Sequence, residues 1–401
     1  MANIIDYARL ATGSFAQRPL CRVDSLCLSW LAYLRYPATL GADSFEGVRL
    51  ADLADPALLP LELSSLHDTE RSEQLVRAVA ASPRFGEVRA YLHASESDEE
   101  EGKQFSATAF RLPDGLGTYV AYRGTDDSLV GWKENFRLAC ATAVPAQRRA
   151  LSYLDQLAYV VDGPLWAGGH SKGGNLAEYA CRMATDEVRE RIVACYTHDG
   201  PGFRAEVRAD EGWHDDVPVH KTVPRAALVG MLFERSQQGI TVVRSSAAGV
   251  MQHAPLSWEV GGTDFVCEQG MDYDAWKLAQ RLNDWLCDMS AERCERFAEL
   301  LGWLVDVTAE PSFSSLLRRW STNRNAMRAA LAAAPADDRA LFEQTMDDLV
   351  VTVLLGSRQE HGITDDDTPA AAASAAARKI EDLSARANDH LAKLERLTGG
   401  R

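Results

Sequence analysis

Apolar residues recur at helical spacing in Asp24-Ser25-Leu26-Cys27-Leu28-Ser29-Trp30-Leu31-Ala32-Tyr33-Leu34-Arg35-Tyr36, which predicts an N-terminal helix that Pro37 limits. A polar segment around 68–81 reads as a second helix. From Phe85 the period shortens. Segments 85–93 and 104–112 read as strands joined by the acidic run Glu96-Ser97-Asp98-Glu99-Glu100-Glu101, a solvated hairpin loop by its charge. Beyond Tyr119-Val120-Ala121-Tyr122, short apolar strands at 117–123, 164–169, 192–198, 217–223 and 240–245 follow one another, with helical stretches near 128–139, 147–160 and 172–186. That alternation predicts an α/β architecture: a mostly parallel sheet flanked by helices.

Strand signals nearly vanish from about 271, where Trp276, Leu278, Leu282, Trp285, Phe297, Leu300, Leu301 and Leu304 mark helical faces. The expected organisation is an α/β domain over 1–265, a helical region over 266–364, and a flexible segment with a terminal helix over 365–401. The terminal helix carries Ile380, Leu383, Ala387, Leu391 and Leu394 on one side, which suits a loosely held end or a short docking helix. The apolar faces before it suit a lid over the sheet, a separate unit or a homo-oligomer contact.

Composition narrows the function classes. With 46% hydrophobic and 25% charged residues in 401, the chain is a folded globular one, large enough for two or three domains or one large core. Acidic residues number 58 against 42 basic ones, a formal charge of −16 that argues against nucleic acid as a partner. The first nine residues lack a basic region leading into an apolar core, and no stretch reaches 18 uncharged apolar residues, so neither secretion nor a membrane span is expected. Eight cysteines without a C-x-x-C pair lead us to expect neither a disulfide framework nor a zinc site, and reduced buried thiols suit a cytoplasmic protein.

The chemistry concentrates in Pro164-Leu165-Trp166-Ala167-Gly168-Gly169-His170-Ser171-Lys172-Gly173-Gly174-Asn175-Leu176-Ala177. It holds G-x-S-x-G where a short strand should pass into a helix, the setting of a nucleophile elbow that presents Ser171 above the sheet. Serine needs a histidine to take its proton and a carboxylate to hold that histidine, in the chain order serine, acid, histidine on this architecture. Asp199, just past the next apolar strand in Tyr196-Thr197-His198-Asp199-Gly200-Pro201-Gly202, is the candidate acid, with a turn-capping role as the alternative. Of nine histidines, His253 lies in a loop beyond both partners and is the candidate base; His220 and His214 are fallbacks. His170 and His198 each precede a candidate by one residue and should point to the opposite side.

An oxyanion needs donors, one being the backbone N–H of Lys172 just after the nucleophile. A second is expected from Thr125, in the loop Arg123-Gly124-Thr125-Asp126-Asp127 after a strand. His170 and Lys172 are also candidates for substrate contacts. A cation on the first turn of the elbow helix lies at the unfavourable end of the helix dipole, so Lys172 should meet either an anionic group of the substrate or a nearby Asp or Glu.

Together, Tyr122-Arg123-Gly124-Thr125, Trp132, Asn135-Phe136 and the 169–177 segment resemble the class 3 lipases and, more closely, an uncharacterised bacterial lipase-like α/β-hydrolase family related to them, over roughly residues 20–265. The resemblance implies an α/β-hydrolase fold with Ser171 as nucleophile, His253 as base, and Thr125 and Lys172 lining the oxyanion hole. Class 3 lipases usually carry their acid after the following strand, yet 220–227 hold no carboxylate, so Asp199 must substitute; without contact to His253 the site would be a dyad or inert. The implied activity is a serine hydrolase cleaving a small-molecule or lipid ester through an acyl-enzyme. An acyltransferase with the same nucleophile and a non-catalytic interaction scaffold are the alternatives. No phosphate-binding or dinucleotide glycine motif occurs, and the proposed chemistry needs no cofactor or metal.

Overall fold

The computed structural model describes residues 2–36, 40, 44–54, 68–140 and 143–355. Pro37 and the terminal segment 365–401 lie outside the described residues, and with them the expected terminal helix. Helices α1 (Ile4–Leu10), α2 (Arg22–Leu31) and α3 (Thr69–Ala80) belong to the N-terminal part. Strands β1 (Val48–Arg49), β2 (Arg89–Asp98), β3 (Lys103–Arg111), β4 (Thr118–Tyr122), β5 (Leu165–His170), β6 (Ile192–His198), β7 (Val219–Pro224) and β8 (Ile240–Val243) line up in chain order as one eight-stranded sheet. Pairing is antiparallel from β1 to β4 and parallel from β4 to β8. Between the parallel strands run α4 (Leu129–Leu138), α5 (Pro145–Val160), α6 (Lys172–Met183), α7 (Asp186–Arg189) and α8 (Ala205–Arg208). A small hairpin of β9 (Val260–Gly261) and β10 (Asp264–Phe265) precedes α9 (Tyr273–Asp288), α10 (Ala291–Asp306), α11 (Phe313–Arg318), α12 (Trp320–Ala333) and α13 (Ala336–Leu355). This is the expected α/β-hydrolase-like architecture with a helical C-terminal region.

The period-2 alternation of β4 explains the layering. Tyr119 and Ala121 join α2 residues Leu26, Trp30 and Leu31 in the core on one side, whereas Val120 and Tyr122 face α5 and α6 residues Leu154, Leu176 and Ala180 on the other. Both faces are covered, so the central strands are buried along nearly their whole length and carry their polar residues, such as His170, Thr197 and His198, inside. Two local expectations change. Helix α2 stops at Leu31, where Tyr33 and Leu34 donate to carbonyls three residues back and tighten the last turn. The acidic run is not all loop: β2 extends to Asp98, because Lys103 and Arg149 each reach the Glu96 carboxylate and offset its charge.

The C-terminal helices pack against α4 and the segment after β7. Asn283 of α9 donates to the carbonyls of Met231 and Glu234 and accepts from the Phe233 N–H, so one buried amide docks the helix. Phe313 stacks on Trp132 with ring centroids 3.8 Å apart, and its N–H donates to the Asp127 carbonyl at 3.0 Å.

One expectation is overturned here. Cys140, just past α4, and Cys294 on α10 are joined by a disulfide across 154 residues of sequence. Spacing gave no sign of it, because the two thiols meet only through helix packing. It also removes the footing of the cytoplasmic assignment, which rested on reduced thiols. Replacing both cysteines by serine should cost about 2–4 kcal/mol of stability. Urea midpoints of the two proteins, followed by tryptophan fluorescence, check this; equal midpoints would refute it. Among the described residues, no helix is long and apolar enough to cross a membrane.

Candidate active site

Ser171 follows β5 and caps α6 with φ 58° and ψ −132°, a conformation that costs a non-glycine residue about 1–3 kcal/mol. Close packing at the crossing holds it. A Cβ on Gly169 would sit 2.2 Å from the carbonyl carbon of Gly173, and one on Gly173 would sit 2.1 Å from the Tyr122 carbonyl oxygen. Strand, serine and helix can therefore approach only because both positions are glycine.

The ends of β6 and the 249–253 segment bring the other two residues to this elbow. His253 Nε2 lies 3.0 Å from Ser171 Oγ, and His253 Nδ1 lies 2.6 Å from Asp199 Oδ2. A carboxylate only accepts, so Nδ1 carries the proton; in the neutral ring Nε2 is then an acceptor for the Ser171 hydroxyl. Asp199 is fully buried at φ 50°, and its second oxygen accepts from the Gly230 N–H at 3.0 Å, which sets the plane of the carboxylate. The turn-capping alternative thus describes its surroundings incompletely, since one oxygen faces the imidazole. The loop that carries His253 is tied down by Trp258 Nε1, which donates to the Gln252 carbonyl at 2.8 Å, and by the Gln252 side chain, which accepts from the Ala226 N–H at 2.9 Å.

The remaining histidines lie elsewhere. His198 turns to the α2 side, where Nε2 meets Ser25 Oγ at 2.9 Å, and burial lowers its pKa to about 3. His220 stacks on Tyr196, and the main chain of His214 bonds to Arg182.

Lys172 corrects one expectation. Its ammonium is buried and donates to Glu134 Oε2 at 2.6 Å, the Gln104 carbonyl at 2.7 Å and Gln104 Oε1 at 3.0 Å, three acceptors for three protons. Burial pulls its pKa below the ordinary lysine value and the adjacent carboxylate opposes that shift. With its head group so committed, the side chain has no proton left for a substrate anion. Of the two readings of this cation, the carboxylate partner is the one found. Glu134 also accepts from the N–H groups of Gln104 and Ala146, so a single carboxylate joins β3, α4, the start of α5 and the elbow helix.

His170 also departs from a substrate-contact role. Its ring is buried against Trp30 and Tyr33, and Nε2 bonds the main-chain carbonyl of His253 at 2.9 Å. Thr125 is buried in the loop after β4, beside the elbow strand, and its hydroxyl donates to Asn135 Oδ1 at 2.9 Å. Sequence reasoning missed Glu134, Gln104, Gly230 and Tyr33. The uncompensated charge of Lys172 signalled that a partner existed, but nothing local singled out Glu134. Among the described residues, no group of three or more His, Cys, Asp or Glu side chains could hold a metal ion.

The family model described as Mbeg1-like matches residues 79–302, more than half of the chain, and the chain belongs to that lipase-like family. Neither a curated protein nor a solved structure matches it.

Proposed function

We propose that this member of a lipase-like family is a serine hydrolase that cleaves a carboxylic ester through an acyl-enzyme. The observation that carries the reading is the unbroken chain of contacts from Ser171 Oγ through His253 to the buried Asp199 carboxylate. In the first half-reaction, Ser171 Oγ attacks the ester carbonyl carbon while His253 Nε2 takes the hydroxyl proton. Asp199 stabilises the imidazolium without itself taking the proton. Collapse of the tetrahedral intermediate expels the alcohol, which receives that proton from His253. Water then attacks the acyl-enzyme with His253 again as base, releasing the acid and restoring the serine.

The oxyanion donors in this reading are the backbone N–H groups of Lys172 and Thr125. Donation of the Thr125 hydroxyl to Asn135 favours the main chain over the side chain for that purpose. Val250 and Met251 are exposed three and two residues before the base, which favours an ester with an apolar portion. The kinship to class 3 lipases rests on the same elbow and on Gly124-Thr125, and belongs to this proposal.

The test is labelling of purified protein with a fluorophosphonate, mapping the modified peptide, and repeating with Ser171→Ala and His253→Ala. We expect modification at Ser171 in the wild type and none in either variant. A well-folded wild type left unmodified would overturn the reading.

A further inference from the structure

A histidine immediately before the nucleophile is not required by the elbow, which needs glycine at 169 and 173 and leaves residue 170 free in kind. In this chain that position is filled by a buried imidazole with definite partners. Its Nε2 meets the His253 carbonyl at 2.9 Å, and because a carbonyl can only accept, Nε2 carries the proton. In the neutral ring Nδ1 is then an acceptor, and the Tyr33 hydroxyl lies 3.4 Å from it. Burial raises the Tyr33 pKa above the ordinary tyrosine value, so the hydroxyl keeps its proton and donates; the same oxygen lies against Gly124, 2.2 Å from where a Cβ on that residue would sit. Gly124 directly precedes Thr125. Tyr33 therefore touches the loop that carries the second oxyanion donor, and through His170 it reaches the loop that carries the base.

We propose that Tyr33 and His170 are positioning residues that set the Thr125 loop and the His253 loop relative to Ser171. The inference rests on the serine-hydrolase reading above and deepens it. Three features support it. The His170 and His253 rings lie 4.7 Å apart, so a displacement of one ring is felt by the other. Trp30 packs on the His170 ring at a centroid distance of 5.8 Å and fixes it from the α2 side. The hydrogen-bond directions are consistent along the whole path: Tyr33 O–H to His170 Nδ1, His170 Nε2–H to the His253 carbonyl, and His253 Nδ1–H to Asp199. Tyr33 and Trp30 lie before residue 79, outside the family-matched segment.

The experiment compares the rate of Ser171 labelling by a fluorophosphonate, and kcat and KM on an activated ester, in wild type, His170→Phe, His170→Gln and Tyr33→Phe. Each protein is checked for folding by circular dichroism. Phenylalanine keeps the ring and removes the donor, and glutamine keeps an N–H near the position of Nε2. A misplacement of the base by about 1 Å costs on the order of 10²-fold, so His170→Phe should lower the labelling rate and kcat by about that factor with KM unchanged. His170→Gln should recover most of the loss, and Tyr33→Phe should fall between. In the wild type, nitrogen-15 NMR should find His170 as the Nε2–H tautomer.

A labelled wild type whose rate is matched by a folded His170→Phe overturns this proposal and leaves the hydrolase reading standing. Equal losses in His170→Phe and His170→Gln, or an Nδ1–H tautomer, also overturn it. A wild type that does not label at all overturns both.

Discussion

Asp199→Asn is expected to lower kcat about 10⁴-fold while leaving the fold intact. The reason lies in what the two carboxylate oxygens already do. Oδ1 accepts from the Gly230 N–H at 3.0 Å and Oδ2 accepts from His253 Nδ1 at 2.6 Å, so both positions must be acceptors. An asparagine has one acceptor and one donor. If its oxygen stays on the Gly230 N–H, its amide group faces Nδ1 and favours the tautomer with the proton on Nε2, which cannot receive the Ser171 proton. If the amide flips, its N–H₂ meets the Gly230 N–H, donor against donor, in a fully buried place. The first arrangement leaves His253 in the wrong tautomer, and the second, which would keep the right one, is disfavoured by the buried clash, so the first prevails. The measurement is kcat and kcat/KM on an activated ester, with thermal unfolding to confirm folding; a loss below tenfold would show that Asp199 does not hold the imidazole.

The second large effect is on stability. Lys172→Met should destabilise the protein by about 3–5 kcal/mol, because it leaves the fully buried Glu134 carboxylate without its cation. Side-chain volume changes little, so the loss reports the unpaired charge and not a cavity. Lys172→Met combined with Glu134→Gln should recover part of it, since a neutral amide can still accept from the Ala146 N–H that now bonds Glu134 at 2.9 Å. Urea midpoints of the single and double variants, read as a double-mutant cycle, test this. Equal stability of Lys172→Met and wild type would mean that the pair contributes nothing net. The expected coupling follows from the pair's partners: it ties β3, α4, α5 and α6 together, and α4 also carries Asn135, on which the Thr125 hydroxyl is held.

Much of the site's framework is legible in the sequence, and the reason is locality. The elbow is specified within one strand, one turn and one helix, so Gly169, Ser171 and Gly173 announce it in five consecutive residues. Strands β4 to β8 were placed within a few residues because an apolar run bounded by turn residues is also a local signal. The chain order of Ser171, Asp199 and His253 could be anticipated because parallel strands deliver their ends to one edge of a sheet. Whether Asp199 reaches His253, 54 residues on, could not be read there. That contact depends on the path of the segment after β8 and on the Gly230 N–H that orients the carboxylate.

Several features were decided by tertiary structure alone. A buried cation demands a partner, but side chains of similar charge are numerous, and only the packing of α4 against β3 selects Glu134 for Lys172. The Cys140–Cys294 disulfide needs the end of α4 and helix α10 to pack so that two cysteines 154 residues apart face each other. His170 looked like a candidate for substrate, yet its partners are a tyrosine 137 residues earlier and a carbonyl 83 residues later. The sequence by itself determined the layers, the elbow and the kinds of residue available for acid and base work, since periodicity and backbone strain act over a few residues. Which of those residues touch was left to long-range packing, where a contact depends on the placement of whole elements and on no single local preference.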